Sequence, residues 1–322
     1  MIKLRQTSLV LLSLLLVAAG GCTPPIPKTQ VTLGELVSEY NANASGVPML
    51  AAYAEIDYIE YHDTTGLGLT LWSSPNGLLR MKKGENPLAP GDMVLIGREI
   101  TQQVMRVGTS MKDKTYYMWT LMPETLALWG HLELAGAPGI RQLRIDPTGL
   151  QAVLGICQLP SDQSKTPAVT LQMDTTPGRY AYVLRYVNRQ PVSNHFLQCR
   201  EYRFAWGDEK PRLLEEVNFY NSLGRKVMTA EVGDYQPIDI ANMKNPPDAE
   251  PVMPSDITIT LFNERQQKTS AVHLKLSQMT TDEEMWDIEV CEFLSNIPSE
   301  IPAQSVIQVD KAISPKKKDK IK

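Results

Sequence analysis

The sequence predicts a mainly-β protein: an antiparallel sheet accompanied by a few covering helices. Two observations carry this. Apolar residues recur with the 3.6-residue period of a helix at two places, whereas over most of the chain beyond Asn43 they alternate with polar ones at a period of two. Alternation of that kind marks strands with one buried and one wet face, and the breaks between the runs suit antiparallel neighbours.

In chain order the first signal is not part of the fold. Lys3 and Arg5 make a positive start, residues 9–19 are apolar, and Ala19-Gly20-Gly21 is a patch of small residues directly before Cys22. The apolar run is too short to cross a bilayer as a permanent helix, and small residues let a peptidase seat the backbone on both sides of a cut. Residues 1–21 are therefore expected to be a signal peptide. Residues 22–30, with Pro24, Pro25 and Pro27, read as an extended tether.

Thr32 and Glu35 then form a capping box, and Leu33, Leu36, Val37 and Tyr40 share one face, so a helix is expected to end near Asn43. Strands follow. Leu67, Leu69 and Leu71 alternate with Gly68, Thr70 and Trp72; Val169, Leu171 and Met173 form a second run. Tyr180, Tyr182, Leu184 and Tyr186 form a third, and Ile257 to Leu261, Val272 to Leu276 and Trp286 to Val290 continue the pattern. Hairpin loops are expected at residues 63–66 and 221–224. The second helix starts at Asp146, a sound N-cap, with Pro147 at its first position and Gly155 to end it. Residues 83–92 and 239–256, rich in Gly or Pro, read as irregular connections, and the Lys316–Lys320 run as a solvated end.

Composition narrows the function. A net charge of −4 gives no electrostatic case for binding nucleic acid. No Gly-x-Ser-x-Gly, His-Glu-x-x-His, phosphate loop or Cys-x-x-Cys is present, and His62, His131, His195 and His273 are not at metal-ligand spacing. No cofactor, no metal and no enzymatic activity are expected. Export would place Cys157, Cys199 and Cys291 in an oxidising compartment. Cys157 with Cys199 is a candidate disulfide on sequence separation, and burial of these thiols as small hydrophobes is the alternative.

Two resemblances sharpen the reading. Ala19-Gly20-Gly21-Cys22 resembles the lipobox of bacterial lipoproteins, with Ala19 where that motif usually carries a larger aliphatic. It implies that Cys22 receives the lipid, a diacylglycerol with acyl chains such as palmitate. Each buried methylene is worth about 0.8 kcal/mol of anchoring. Thr23, rather than Asp, after the cysteine favours the outer membrane, with the body facing the periplasm.

The second resemblance rests on Thr32 to Asn41, Tyr53-Ala54-Glu55-Ile56-Asp57, Leu71 to Arg80, Tyr117-Met118-Trp119, Leu128-Trp129-Gly130 and Phe219 to Val227. In this order they resemble the LolA and LolB-like lipoprotein carriers. That implies an open, strongly curved half-barrel with helices over its mouth, formed by one domain over residues 31–300, and an apolar cavity for acyl chains of lipids or lipoproteins. Residues 301–322 are then a C-terminal extension with a basic tail. The chain is longer than a typical carrier, and no arginine is matched to the family's lid latch. On this reading Leu67, Leu69, Leu71, Tyr180, Tyr182, Leu184 and Tyr186 line the ligand site, although a one-residue register change exchanges the two faces of a strand. The alternatives are a closed barrel or sandwich for the fold, and a non-enzymatic structural or adaptor lipoprotein for the function.

Overall fold

A computed structural model describes residues 30–311, except 62–68, 123, 136–142, 144, 163–167, 177, 190–195, 222, 241–242, 244–249 and 283–295. The expected signal peptide, Cys22, the hairpin loop at 63–66, the run from Trp286 to Val290 and the basic end lie outside the described residues.

The first helix, α1 (Leu33–Ser45), begins as its capping box dictates. The Thr32 hydroxyl accepts from the Glu35 N–H at 3.2 Å, and the Glu35 carboxylate accepts from the Thr32 N–H at 2.8 Å. Leu36, Val37, Tyr40 and Ala44 are its buried face. The chain then runs back and forth through β1 (Met49–Tyr61), β2 (Leu69–Lys82), β3 (Asp92–Glu99), β4 (Gln102–Ser110), β5 (Thr115–Thr120) and β6 (Leu126–His131), each antiparallel to the one before. After the second helix, α2 (Pro147–Val153), a second meander follows. It comprises β7 (Ala168–Asp174), β8 (Ala181–Arg189), β9 (Phe196–Ala205), β10 (Leu214–Tyr220), β11 (Lys226–Pro237), β12 (Val252–Phe262) and β13 (Lys268–Thr280).

The two meanders become one sheet because β13 pairs with β1. A short β14 (Val306–Gln308) adds in parallel to β6. Among the described residues the order is β14-β6-β5-β4-β3-β2-β1-β13-β12-β11-β10-β9-β8-β7, a curved sheet of 14 strands that does not close on itself. The open half-barrel is therefore the architecture, and the closed barrel and the sandwich are excluded.

This order has a consequence for α2. Strands β6 and β7 stand near opposite ends of the sheet, so the chain between them must travel across the concave mouth. Along that path α2 packs on β4 and β5, and Gly149 comes so close to β11 that a Cβ there would lie 2.8 Å from Met228 Cε. Gln151 fastens the helix from inside: its side chain accepts from Gly91 N–H at 2.7 Å and donates to the Thr109 hydroxyl at 2.9 Å. Helix α1 is fastened by two asparagines. Asn41 donates to and accepts from the Leu159 backbone at 2.8 and 2.7 Å, and Asn43 does the same with Val252 at 2.8 and 2.9 Å.

Three expectations are revised. Between β1 and β2 the register slips, Ala54 pairing with Gly77 but Ile56 with Ser74, so β2 carries one extra residue around Pro75-Asn76. A bulge reverses which parity faces inward. Leu79 and Met81 are buried on one side of it and Ser74 and Trp72 turn inward on the other, leaving Leu71 70% exposed. The irregular connection expected to reach Asp256 stops earlier, because β12 begins at Val252 and accommodates Pro254. The domain also does not stop at residue 300: Ile301, Val309 and Asp310 are buried, and β14 extends the sheet.

Asp310 holds this C-terminal strap. Its wholly buried carboxylate accepts from the His131 N–H at 2.6 Å, bonds the His131 ring at 2.9 Å, and accepts from the Gln308 amide at 2.7 Å. These bonds together hold its pKa below the ordinary range, against the opposing effect of burial. Asp310→Ala leaves several buried donors unsatisfied, at about 1–3 kcal/mol for each group so stranded. We expect a loss of about 2–3 kcal/mol in denaturant unfolding and fast hydrogen exchange confined to β14 and β6; unchanged exchange there would contradict this account.

Candidate functional site

The inner face of β8, β9 and β10 is arranged in three cross-strand rows. Tyr186, Arg200 and Phe219 stand opposite one another, then Leu184, Tyr202 and Val217, then Tyr182, Phe204 and Leu214. Except for Arg200, which is partly buried, every one of these residues is buried in the main core. Directly opposed side chains on one face of a sheet touch, so this wing presents a continuous, largely aromatic surface.

Tyr40 of α1 closes over it. Its ring meets Tyr202 edge-on at 6.2 Å and Phe204 at 5.8 Å, and Tyr186 meets Tyr202 at 5.8 Å. At the rim Glu39 binds Arg212 at 2.7 Å and Lys210 at 3.3 Å, while the Arg212 guanidinium lies 5.4 Å from the centre of the Tyr182 ring. Tyr182 in turn stacks on Trp206 at 5.0 Å. Outside α1, a groove of about 330 Å³ runs between the helix and residues 158–161. Small and polar side chains such as Ser38, Asn41 and Gln158 line it, so it lacks the apolar walls an acyl chain needs.

The electrostatics of the two faces differ. On the convex face of this wing two arginines have carboxylate partners: Arg185 binds Glu201 at 2.6 Å, and Arg203 binds Asp174 at 2.7 Å, which brings that carboxyl down to about 2. Inside, the hydroxyls of Tyr40 and Tyr186 are buried without a hydrogen-bond partner, and burial pushes both phenols well above their ordinary pKa. Arg200 lies over the Phe219 ring at 5.3 Å. Burial also pushes the Cys157 thiol up, against the opposing pull of nearby Arg200 and Lys83. That is the opposite of an activated nucleophile. Lys83 donates to the Ala44 carbonyl at the end of α1, and burial lowers its ammonium to about 8.

Of the residues expected to line the site, Tyr182, Leu184 and Tyr186 come together on the inner face. Tyr180 precedes β8 and packs at the rim against Trp206 at 5.8 Å. Leu71 is on the convex face, and the inward expectation for it is corrected to Trp72 by the bulge. Leu69 opens β2 opposite Tyr61, and Leu67 lies outside the described residues. The Cys157–Cys199 disulfide is also corrected: both are free thiols. Cys199 has the outward parity of Glu201 and Arg203, whereas Cys157 lies inside near Arg200 and Lys83, so the sheet separates them. Cys291 and His195 lie outside the described residues. The expectations overlooked Arg200, Tyr202, Phe204 and Phe219. Their signal is the alternation Arg200-Tyr202-Phe204, which is obscured because Glu201 and Arg203 place charges on the other parity too.

No family model and no curated protein matches the sequence. Among solved structures it is similar to a DUF1329 family protein from Desulfovibrio piger, at a TM-score of 0.49 and 12% identity, covering 82% of this chain and 99% of that one. A putative outer membrane lipoprotein-sorting protein domain from Vibrio parahaemolyticus gives 0.48 at 10% identity, covering 83% and 94%. A LolA superfamily protein from Nitrosomonas europaea gives 0.44 at 12% identity, covering 82% and 99%. At TM-scores below 0.5 these likenesses bear on neither the site nor its ligand.

Lys83 supplies a test of how dry this interior is. Its folded pKa is below the unfolded value of about 10.4, so between the two the unfolded chain holds a proton that the folded one has released. Stability therefore rises as pH increases from about 8 towards 10 and is lost again on the way down. Measured against Lys83→Met at each pH, the gain is expected to be roughly 1–2 kcal/mol after screening. A flat difference across that window would show that Lys83 is well hydrated.

Proposed function

We propose that this chain is a non-enzymatic, membrane-anchored lipoprotein of the cell envelope whose concave sheet face receives acyl chains of lipids or lipoproteins. The observation that supports it best is the three-row aromatic wing under Tyr40, an apolar surface on which buried tyrosine hydroxyls lack partners. Leaving a buried hydroxyl unsatisfied costs free energy, so such a surface suits an occupant that brings its own polar group.

The anchor is proposed on the sequence: residues 1–21 are removed, Cys22 carries diacylglycerol and a further acyl chain such as palmitate, and residues 22–30 hold the body off the outer membrane on its periplasmic side. No helix among the described residues is long and apolar enough to cross a membrane. An adaptor needs a contiguous exposed apolar patch. The exposed large hydrophobics Tyr53, Leu71, Leu88, Ile100, Met173 and Leu223 instead fall in six different strands or turns.

Mass spectrometry of the mature N-terminus is expected to find a lipid-modified Cys22; an intact signal or a bare cysteine would refute the anchor. Native mass spectrometry after mild extraction is expected to find co-purified lipid, lost in Leu184→Glu while circular dichroism retains the β signal. A protein that carries no lipid and takes up no added palmitate refutes the acyl-binding reading.

A further inference from the structure

The inner wing holds one group that an acyl chain alone does not explain. Arg200 occupies the end row, flanked across the sheet by Tyr186 and Phe219. A guanidinium cannot shed its proton to escape burial. Its Nε is sealed from solvent and has no hydrogen-bond partner, the rest of the partly buried guanidinium bonds the Tyr202 hydroxyl, and among the described residues no carboxylate pairs with it. The nearest inner-face acid is Asp146, and its carboxylate is committed to the start of α2, accepting from the Thr148 N–H at 2.9 Å and its hydroxyl at 2.8 Å.

On the outward parity of the same strands, the side chains of this wing show what the fold does with charge when structure alone is served. Arg185 and Arg203 each have a carboxylate at 2.6–2.7 Å. Arg200 instead stacks its cation against Phe219, bonds Tyr202 and leaves its Nε–H unused. The unpartnered Tyr186 hydroxyl belongs to the residue directly opposite, so an Nε–H and a phenolic O–H in one row lack an acceptor.

A guanidinium edge is suited to two oxygens of a carboxylate or phosphate, and the apolar rows of Leu184, Tyr202, Tyr182 and Phe204 lead away from it along the strands. We infer that the inner face selects an anionic amphiphile, with an acyl chain lying along the aromatic rows and an oxyacid head group bound by Arg200 and Tyr186. This rests on the acyl-binding reading and adds the head-group chemistry to it. The shared feature is an anionic oxygen pair, supplied either by the carboxylate of a fatty acid or by the phosphate of a phospholipid.

The test uses the mature full-length chain, extracted in a mild non-ionic detergent and stripped of lipid. It is offered palmitate, 1-palmitoyl-lysophosphatidate or hexadecanol, and bound fractions are read by native mass spectrometry. At least one anionic ligand is expected to bind about tenfold or more tighter than hexadecanol, as a charge-assisted hydrogen bond implies. Arg200→Met should bring that ligand down to the level of hexadecanol, leave hexadecanol unchanged, and melt at the same temperature or higher, because it removes a partly buried charge that has no carboxylate partner. Arg200→Lys should keep part of the preference. Binding of palmitate alone identifies the carboxylate as the head group, and of the lysophosphatidate alone the phosphate; either supports the inference. Equal binding of charged and neutral ligands, indifferent to Arg200→Met, overturns it and leaves the acyl-binding reading standing. No binding of any of the three overturns both. A melting temperature of Arg200→Met lowered by ten degrees or more, with hexadecanol binding lost as well, makes Arg200 a structural residue and also overturns it.

Discussion

The pairing of β1 with β13 is the constraint on which the rest of this molecule depends. Each meander is local, strand following neighbouring strand, and could be built without the other. Joined at β1 and β13 they become a single sheet whose first-meander and second-meander ends, β6 and β7, lie near its opposite edges. Every other large feature follows. The β6–β7 connection has to cross the mouth, so α2 becomes a cover rather than a surface helix. Helix α1 enters beside β1, at the middle, and reaches the second wing through Tyr40. The inner face is thereby formed from both halves of the chain while the two edges stay apart.

Much of this was legible residue by residue. The capping box of Thr32 and Glu35, the N-cap at Asp146 and the glycine at position 155, which takes a positive φ of 71°, are local signals, and local signals survive in any fold. Strand parity was legible where one face is uniformly apolar, as in Tyr182, Leu184 and Tyr186. It failed where a long-range event intervened. Leu71 obeys perfect alternation, yet a bulge at Pro75-Asn76, which exists only because β1 and β2 pair in one register, turns it outward. The strap at Val306 to Asp310 was illegible for a related reason: its partner is β6, some 180 residues earlier, and three residues carry no period.

Strand β9 shows why the candidate site was harder to see than the fold. Its sequence Cys199-Arg200-Glu201-Tyr202-Arg203-Phe204 has charge on both parities, so hydropathy alone assigns neither face. The assignment comes from the neighbours. Glu201 falls opposite Arg185 on β8 and Arg203 reaches Asp174 at the end of β7, whereas Arg200 falls between Tyr186 and Phe219. Whether a charge on a strand is structural or functional is thus decided by the strands on either side of it, which is information a single segment does not contain.

That contrast also bears on how the empty and occupied states of the proposed site differ. A partly buried cation without a counter-ion is held at some cost, and folded proteins have only about 5–15 kcal/mol in hand. The chain tolerates the cost because the wing around Arg200 is otherwise well satisfied: α1 is tied by Asn41 and Asn43, the rim by Glu39 with Arg212, and α2 by Gln151. None of these ties touches the guanidinium. On the proposed reading, a head group that neutralises Arg200 supplies the missing counter-charge without having to break any contact that holds the cover in place. The same ligand would stabilise the fold in proportion to the logarithm of its free concentration over its dissociation constant. Selectivity for an anionic occupant then comes from a cation with no carboxylate of its own, set among side chains that exclude water, Tyr186, Tyr202 and Phe219.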